Sequence, residues 1–176
     1  MSKNDEHSGI FGGADAIIAP FFQIREGKHL KRQSVSRKLV DPGNVDGGLQ
    51  ELVSRLYRKI ESNHNDGRMG SKQPSRENWR CKRVTTLSDH NKSPEILLER
   101  AVAMLGAAGM MPGWLNQVPV ASGLINDRLD KRAALDLVKL EDGRARFVEL
   151  KWGSDTPAYA AFEVLRYGLV YLFISA

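Results

Sequence analysis

A chain of 176 residues suits one domain with an extension, and 41% hydrophobic against 27% charged residues suits a soluble protein with a packed core. The longest nearly apolar run, Tyr167 to Ala176, is shorter than the roughly 20 residues a bilayer span needs, so no membrane association is expected. The N-terminal stretch MSKNDEHSGIFGG lacks a basic-then-apolar signal pattern, which makes the cytoplasm the expected compartment, and Cys81, the single cysteine, excludes an internal disulfide or a CxxC knuckle.

Charge is uneven along the chain. Residues 1–92 hold 17 Lys/Arg and 11 Asp/Glu, whereas residues 93–176 hold 9 and 10. A basic region beside a near-neutral one suits a polyanion partner, because Lys and Arg neutralise phosphates and release counterions. A solubilising, partly disordered tail would look the same. Residues 1–45 show no sustained periodicity and read as a basic, partly disordered extension. Within them Ile17 to Phe22 form an apolar patch, either a strand or a docking segment.

Residues 46–92 read as an amphipathic helix and a basic linker. Leu49, Leu52, Val53, Leu56, Tyr57 and Ile60 form one stripe at helical spacing, which predicts a helix over residues 48–62. Arg55, Arg58 and Lys59 fall off the stripe and read as a solvated face of a helix packed on the domain. Arg80, Lys82 and Arg83 surround Trp79 closely enough to suit a nucleic-acid backbone and a stacked base, or equally an edge strand.

Residues 93–176 read as an α/β domain. Ser93-Pro94 is a helix start, a capping hydroxyl followed by proline at the first position, and Gly109 is a stop. Leu97, Leu98, Ala101, Val102, Met104 and Leu105 give that helix a broad apolar face, and Glu95 and Glu99 lie on one side of it. Strands are expected over residues 114–120, 132–140 and 144–152, and a helix from Thr156-Pro157 onward. Asp142-Gly143 between two β-rich runs is a type I′ hairpin signal. With those two residues as the loop, Glu141 faces Arg144, and counting back sets Asp136 opposite Glu149, with Lys151 on the face of Glu149. Two opposed carboxylates on a mostly apolar hairpin repel one another and lose solvation; Lys151 offsets this in part and a divalent cation offsets it better.

Leu135-Asp136, twelve residues, then Glu149-Leu150-Lys151 resembles the (P)D–(D/E)xK signature of the restriction-endonuclease-like nuclease superfamily. The order of elements is similar too: a helix carrying an acid, three strands, a helix. The helix text FEVLRYG (Phe162 to Gly168) resembles the Gln/Glu-x-x-x-Tyr pattern that follows the ExK strand in such enzymes. The resemblance covers about half the chain. It implies an αβββα core whose final strand falls on Val170–Ser175 or is missing, as in a truncated product, and Leu135 stands where the motif has proline. It also implies Mg²⁺ (or Mn²⁺) held by Asp136, Glu149 and the Leu150 carbonyl. Lys151 would orient water or stabilise charge, Glu99 or Glu95 would complete the site, and Glu163 and Arg166 would hold the site or touch phosphate. The implied function is metal-dependent hydrolysis of phosphodiester bonds, in DNA first of all, and a homodimer is compatible with it. The competing readings are a non-catalytic nucleic-acid-binding module on the same scaffold, and an α/β interaction domain with chance motif residues.

Other chemistry has little support. His7, His29, His64 and His90 lack zinc spacing, no Gly-Lys-Ser/Thr follows Gly9, Gly12 and Gly13, and no GxSxG occurs.

Overall fold

The computed structural model describes residues 10–21, 48–66, 82–120, 134–152 and 157–175. Within them the chain is mixed α/β, with four helices and one three-stranded antiparallel sheet. The helices are α1 (Ala14–Phe21), α2 (Gly48–Asn65), α3 (Pro94–Ala107) and α4 (Pro157–Phe173), and the strands are β1 (Trp114–Pro119), β2 (Ala134–Glu141) and β3 (Arg144–Val148). None of these helices is long and apolar enough to cross a membrane.

Residues 17–21 of the patch read as a strand or docking segment lie in α1, and Phe22 lies outside the described residues. The inward stripe here is Ile10, Ala14 and Ile18, four residues apart and all buried, so it starts before the patch and is hidden by the unbroken apolar run. The helix α2 follows the predicted stripe and runs three residues past it, burying Leu52, Leu56 and Ile60 while Leu49 and Val53 face out. The Asn63 amide donates to the Ile10 and Gly12 carbonyls at 2.9 Å each, tying α2 to the turn before α1. Ile10, Ala14 and Ile18 of the segment read as extension, and Leu52, Leu56 and Ile60 of α2, thus share one core with α4 and the sheet.

Val170 to Ser175 are helix, then turn, rather than the final strand of the expected core. Tyr167, Val170 and Ile174 are buried at spacings of three and four, and Phe173 meets Tyr57 and His64 of α2 edge-on. An apolar run packed on a helix in this way favours the helical period over the strand period.

The helix α3 starts at Pro94 as read, although the Ser93 hydroxyl makes no capping bond. Its buried residues are Glu99, Ala103 and Gly106, whereas Leu97, Leu98, Met104 and Leu105 are exposed. The face expected to pack therefore looks outward, and the helix lies on β1 through its small and acidic residues.

Strand order is β1-β2-β3. The β1–β2 ladder opens at Gly113, whose carbonyl accepts from Leu140 N at 2.8 Å. Gly113 has φ +79°, and a Cβ there would come within 2.3 Å of the Leu140 oxygen, so only glycine fits. The β2–β3 hairpin has the predicted register, Glu141 with Arg144 through Leu137 with Val148. Asp142 and Gly143 both have positive φ (51° and 71°), as a type I′ turn requires.

Candidate active site

The β2–β3 ladder stops one pair before Asp136 and Glu149, so β3 is shorter than expected. Side chains take over the backbone there. Leu150 N donates to Asp136 Oδ2 at 2.8 Å, and Trp152 N donates to Glu95 Oε1. The strand is thus released from its partner while Asp136 still holds it in place.

Glu149 is 4% exposed. Its Oε2 lies 3.7 Å from Lys151 Nζ, and its Oε1 is buried with no hydrogen-bond donor among the described residues. Burial pushes its carboxyl up to about 9, reinforced by the charge of Asp136, a hydrogen bond to Asp136 and the charge of Glu163, against which Lys151 pulls only weakly. Glu149 therefore holds its proton more tightly than an ordinary carboxyl does.

Lys151 reaches this pair from beyond β3. Its ammonium sits 2.7 Å from Glu163 Oε2 on α4 and 5.5 Å from the centre of the Tyr159 ring. Burial alone would lower its pKa, but the hydrogen bond and charge of Glu163, with the charges of Glu149 and Asp136, outweigh it and leave Lys151 above its usual value. Burial, then the charge of Glu163, pushes the Tyr159 hydroxyl up to about 12, and Tyr167 is raised by burial as well. Both phenols stay neutral donors beside an anionic cluster.

On the other side of Asp136, Glu99 enters from α3. It is buried and accepts three short bonds: Asn116 Nδ2 and Arg100 Nη1 on Oε1 at 2.7 and 2.6 Å, and Gln117 Nε2 on Oε2 at 2.7 Å. Burial raises its pKa, the two amides and Arg100 oppose this, and Asp136 adds to the rise. Asn116 also exchanges two 2.8 Å bonds with the Val84 backbone, and Arg100 donates to Val84 O at 3.1 Å. A polar clasp thereby binds the segment before α3 to β1.

Asp136, Glu149, Lys151 and Glu163 thus come together as one cluster, with Glu99 next to Asp136. Glu95 does not join them; its carboxylate holds the Trp152 backbone. Leu150 meets Asp136 through its N–H. Arg80 lies outside the described residues. Lys82 is exposed, and Arg83 is exposed with Nε donating to Trp114 O at 2.9 Å. Arg166, read as holding the site or touching phosphate, is 13% exposed; it lies 3.4 Å from Asp15 and 5.6 Å from the Phe11 ring centre, and it also interacts with the Tyr159 hydroxyl. Asn116, Gln117 and Arg100 were not read as site residues. The signal for the first two was a polar pair inside the otherwise apolar run WLNQVPV.

Among the described residues, no group of three or more His, Cys, Asp or Glu side chains is gathered as a ready metal cluster. The donors are nonetheless of the right kind for a hard cation. Asp136 and Glu149 are adjacent carboxylates, and the unpartnered Glu149 Oε1 is a buried acceptor without a donor. Compared with known proteins, the chain matches no family model, no curated sequence and no solved structure.

Proposed function

We propose that this protein is a metal-dependent phosphodiesterase of the PD-(D/E)XK type, acting on nucleic acid and first of all on DNA, with a restriction-endonuclease-like αβββα core. One observation carries the reading: two carboxylates from the two strands of a hairpin interact at its end, one of them buried, with a lysine two residues further on held beside them. A core of this kind without function would gain stability by losing one of the two acids.

Asp136 and Glu149 would hold Mg²⁺ or Mn²⁺, joined by the Leu150 carbonyl, as the family pattern implies. The cation, when bound, supplies Lewis acidity to a phosphate oxygen and acidifies a water. The chain's own groups do the rest. Glu149 would have to be ionised to serve as a ligand, which would tie metal affinity to pH. Lys151, kept charged and pointed by Glu163, balances negative charge growing on the phosphate. Glu99 sits behind Asp136 as the third acid, saturated with donors.

The test is cleavage of plasmid and oligonucleotide DNA with Mg²⁺, Mn²⁺ or EDTA. Wild type is expected to cut only with metal, and Asp136→Ala and Lys151→Ala to lose at least about 100-fold in rate. The enzyme reading is overturned if folded wild type neither binds Mn²⁺ nor cleaves and the two variants behave identically to it. Salt-dependent DNA binding without cleavage would then favour a binding module.

A further inference from the structure

We infer that Gln117 is a positioning residue: a left-handed kink in β1 aims its amide at Glu99 and fixes that acid beside Asp136. The inference rests on the phosphodiesterase reading and assigns a role to a residue outside the D…ExK pattern.

Gln117 has φ +50° inside a strand. Asp142 shares that sign because its turn demands it, whereas Gln117 makes no turn. A side chain other than glycine, asparagine or aspartate rarely takes this conformation, and such outliers persist where the surroundings enforce them. The kink does not shift the ladder, whose pairs keep one register on both sides of it. Leu115 and Val118, three residues apart, and their partners Val138 and Leu135 all enter the hydrophobic core, which therefore takes side chains from both faces of the sheet. Between them Asn116 pairs with Leu137 and turns its amide to Glu99. Register puts Gln117 opposite Asp136, at a position where the ladder lacks a pair. The kink therefore sits at the level of the candidate site, not at a strand end.

The consequence is a second amide on Glu99. Asn116 and Arg100 occupy Oε1, and Gln117 alone among the described residues holds Oε2, at 2.7 Å. Without Gln117 that oxygen is free to rotate away from Asp136. Gln117 itself is only partly buried, so it stands at the wall of the site rather than inside the core.

A positioning role and a merely structural one differ in whether function changes when stability does not. Glycine accepts φ +50° freely, which offsets the hydrogen bond lost from Glu99, so Gln117→Gly is expected to leave Tm within roughly 2 °C of wild type. The same variant is expected to weaken Mn²⁺ binding at least fivefold and to slow metal-dependent cleavage at least tenfold. Gln117→Asn tolerates the backbone but has a shorter amide, and is expected to fall between Gln117→Gly and wild type in cleavage. The inference is overturned if Gln117→Gly lowers Tm while leaving Mn²⁺ affinity and cleavage per folded molecule unchanged, or if Tm holds and neither function changes. A metal-free readout separates this from failure of the phosphodiesterase reading. The Gln117 side-chain amide protons are expected downfield in the NMR spectrum and to return to the free-glutamine position in Glu99→Ala. If wild type proves inert towards Mn²⁺ and DNA but these signals respond, the enzyme reading falls and the positioning contact stands. Signals that ignore Glu99→Ala overturn the contact itself.

Discussion

Glu99 and Glu149 are both buried acids beside Asp136, and they are treated in opposite ways. Glu99 accepts bonds from two amides and a guanidinium on both of its oxygens. Glu149 has one oxygen without a donor among the described residues, a lysine at 3.7 Å that is closer to Glu163, and the carboxylate of Asp136 interacting with it. Desolvation raises both pKa values, but on the Glu99 side donors oppose it, while on the Glu149 side like charge adds to it. A carboxylate satisfied by fixed donors is built to stay in place. One left unsatisfied is built to exchange a proton for another positive charge.

The largest effect should come from the unsatisfied side. Asp136→Asn keeps an acceptor for the Leu150 N–H but removes the negative charge beside Glu149. Metal-dependent cleavage is expected to fall by at least about 1,000-fold, the combined scale of lost metal binding and lost charge stabilisation. The fold should not weaken: the urea midpoint is expected at or above that of wild type, because a like-charge contact has gone. A large loss of stability would mean that the pair is structural and the contrast with Glu99 false.

The opposite outcome is expected at Glu99. Glu99→Ala strands Asn116, Gln117 and Arg100 without their shared acceptor in a buried place, at a cost of about 2–4 kcal/mol. Glu99→Gln keeps one acceptor and should cost about half as much. Chemical denaturation measures both, and equal losses from the two substitutions would show that packing volume rather than hydrogen bonding dominates there.

The difference also has a pH signature. The folded Glu149 pKa of about 9 stands above the usual 4.5, so between those values the folded chain holds a proton that the unfolded chain has released. Stability is therefore fullest at the acid end and falls as pH rises towards 9, with a slope of up to about 1.4 kcal/mol per pH unit. Saturating Mn²⁺ should flatten that slope, because the cation replaces the proton, and Mn²⁺ affinity should rise with pH across the same window. Denaturation at several pH values, with and without Mn²⁺, reads both effects. A slope indifferent to Asp136→Asn would detach the proton from this pair.

The two sides of the site differ as much in how readily the sequence shows them. The hairpin was legible because its determinants are local: a two-residue turn type fixes register, and register fixes which side chains face each other. That arithmetic carried through to Leu137 opposite Val148, where the ladder ends one pair short of Asp136 and Glu149, whose side chains nonetheless interact. The Glu99 side was not legible in full. Helical spacing put Glu95 and Glu99 on one side, but the apolar stripe of α3 pointed to the wrong face, because that helix buries Ala103 and Gly106 and exposes its leucines. Hydrophobic periodicity finds the apolar face of a helix, and it names the packed face only when the two coincide. The kink at Gln117 left no trace beyond two polar residues in an apolar strand. The α1 segment and the end of α4 were obscured for a similar reason, since unbroken apolar runs show neither period.

The smallest effect tests whether the hairpin itself sets the contrast. Gly143 has φ +71°, and a Cβ added there meets nothing within 4 Å, so Gly143→Ala introduces backbone strain without a clash. The expected loss is about 1 kcal/mol. If the turn only closes the hairpin, the variant should melt lower yet keep the wild-type dependence of stability on pH, because the paired residues from Leu137–Val148 to Glu141–Arg144 still hold the register that faces Asp136 with Glu149. If the strain instead slips the register by one residue, the two carboxylates move to opposite faces. The slope between neutral pH and 9 would then vanish together with metal-dependent cleavage. A turn six residues away along the chain would in that case control the ionisation of Glu149, and the proton it holds would be a property of strand register rather than of its immediate neighbours.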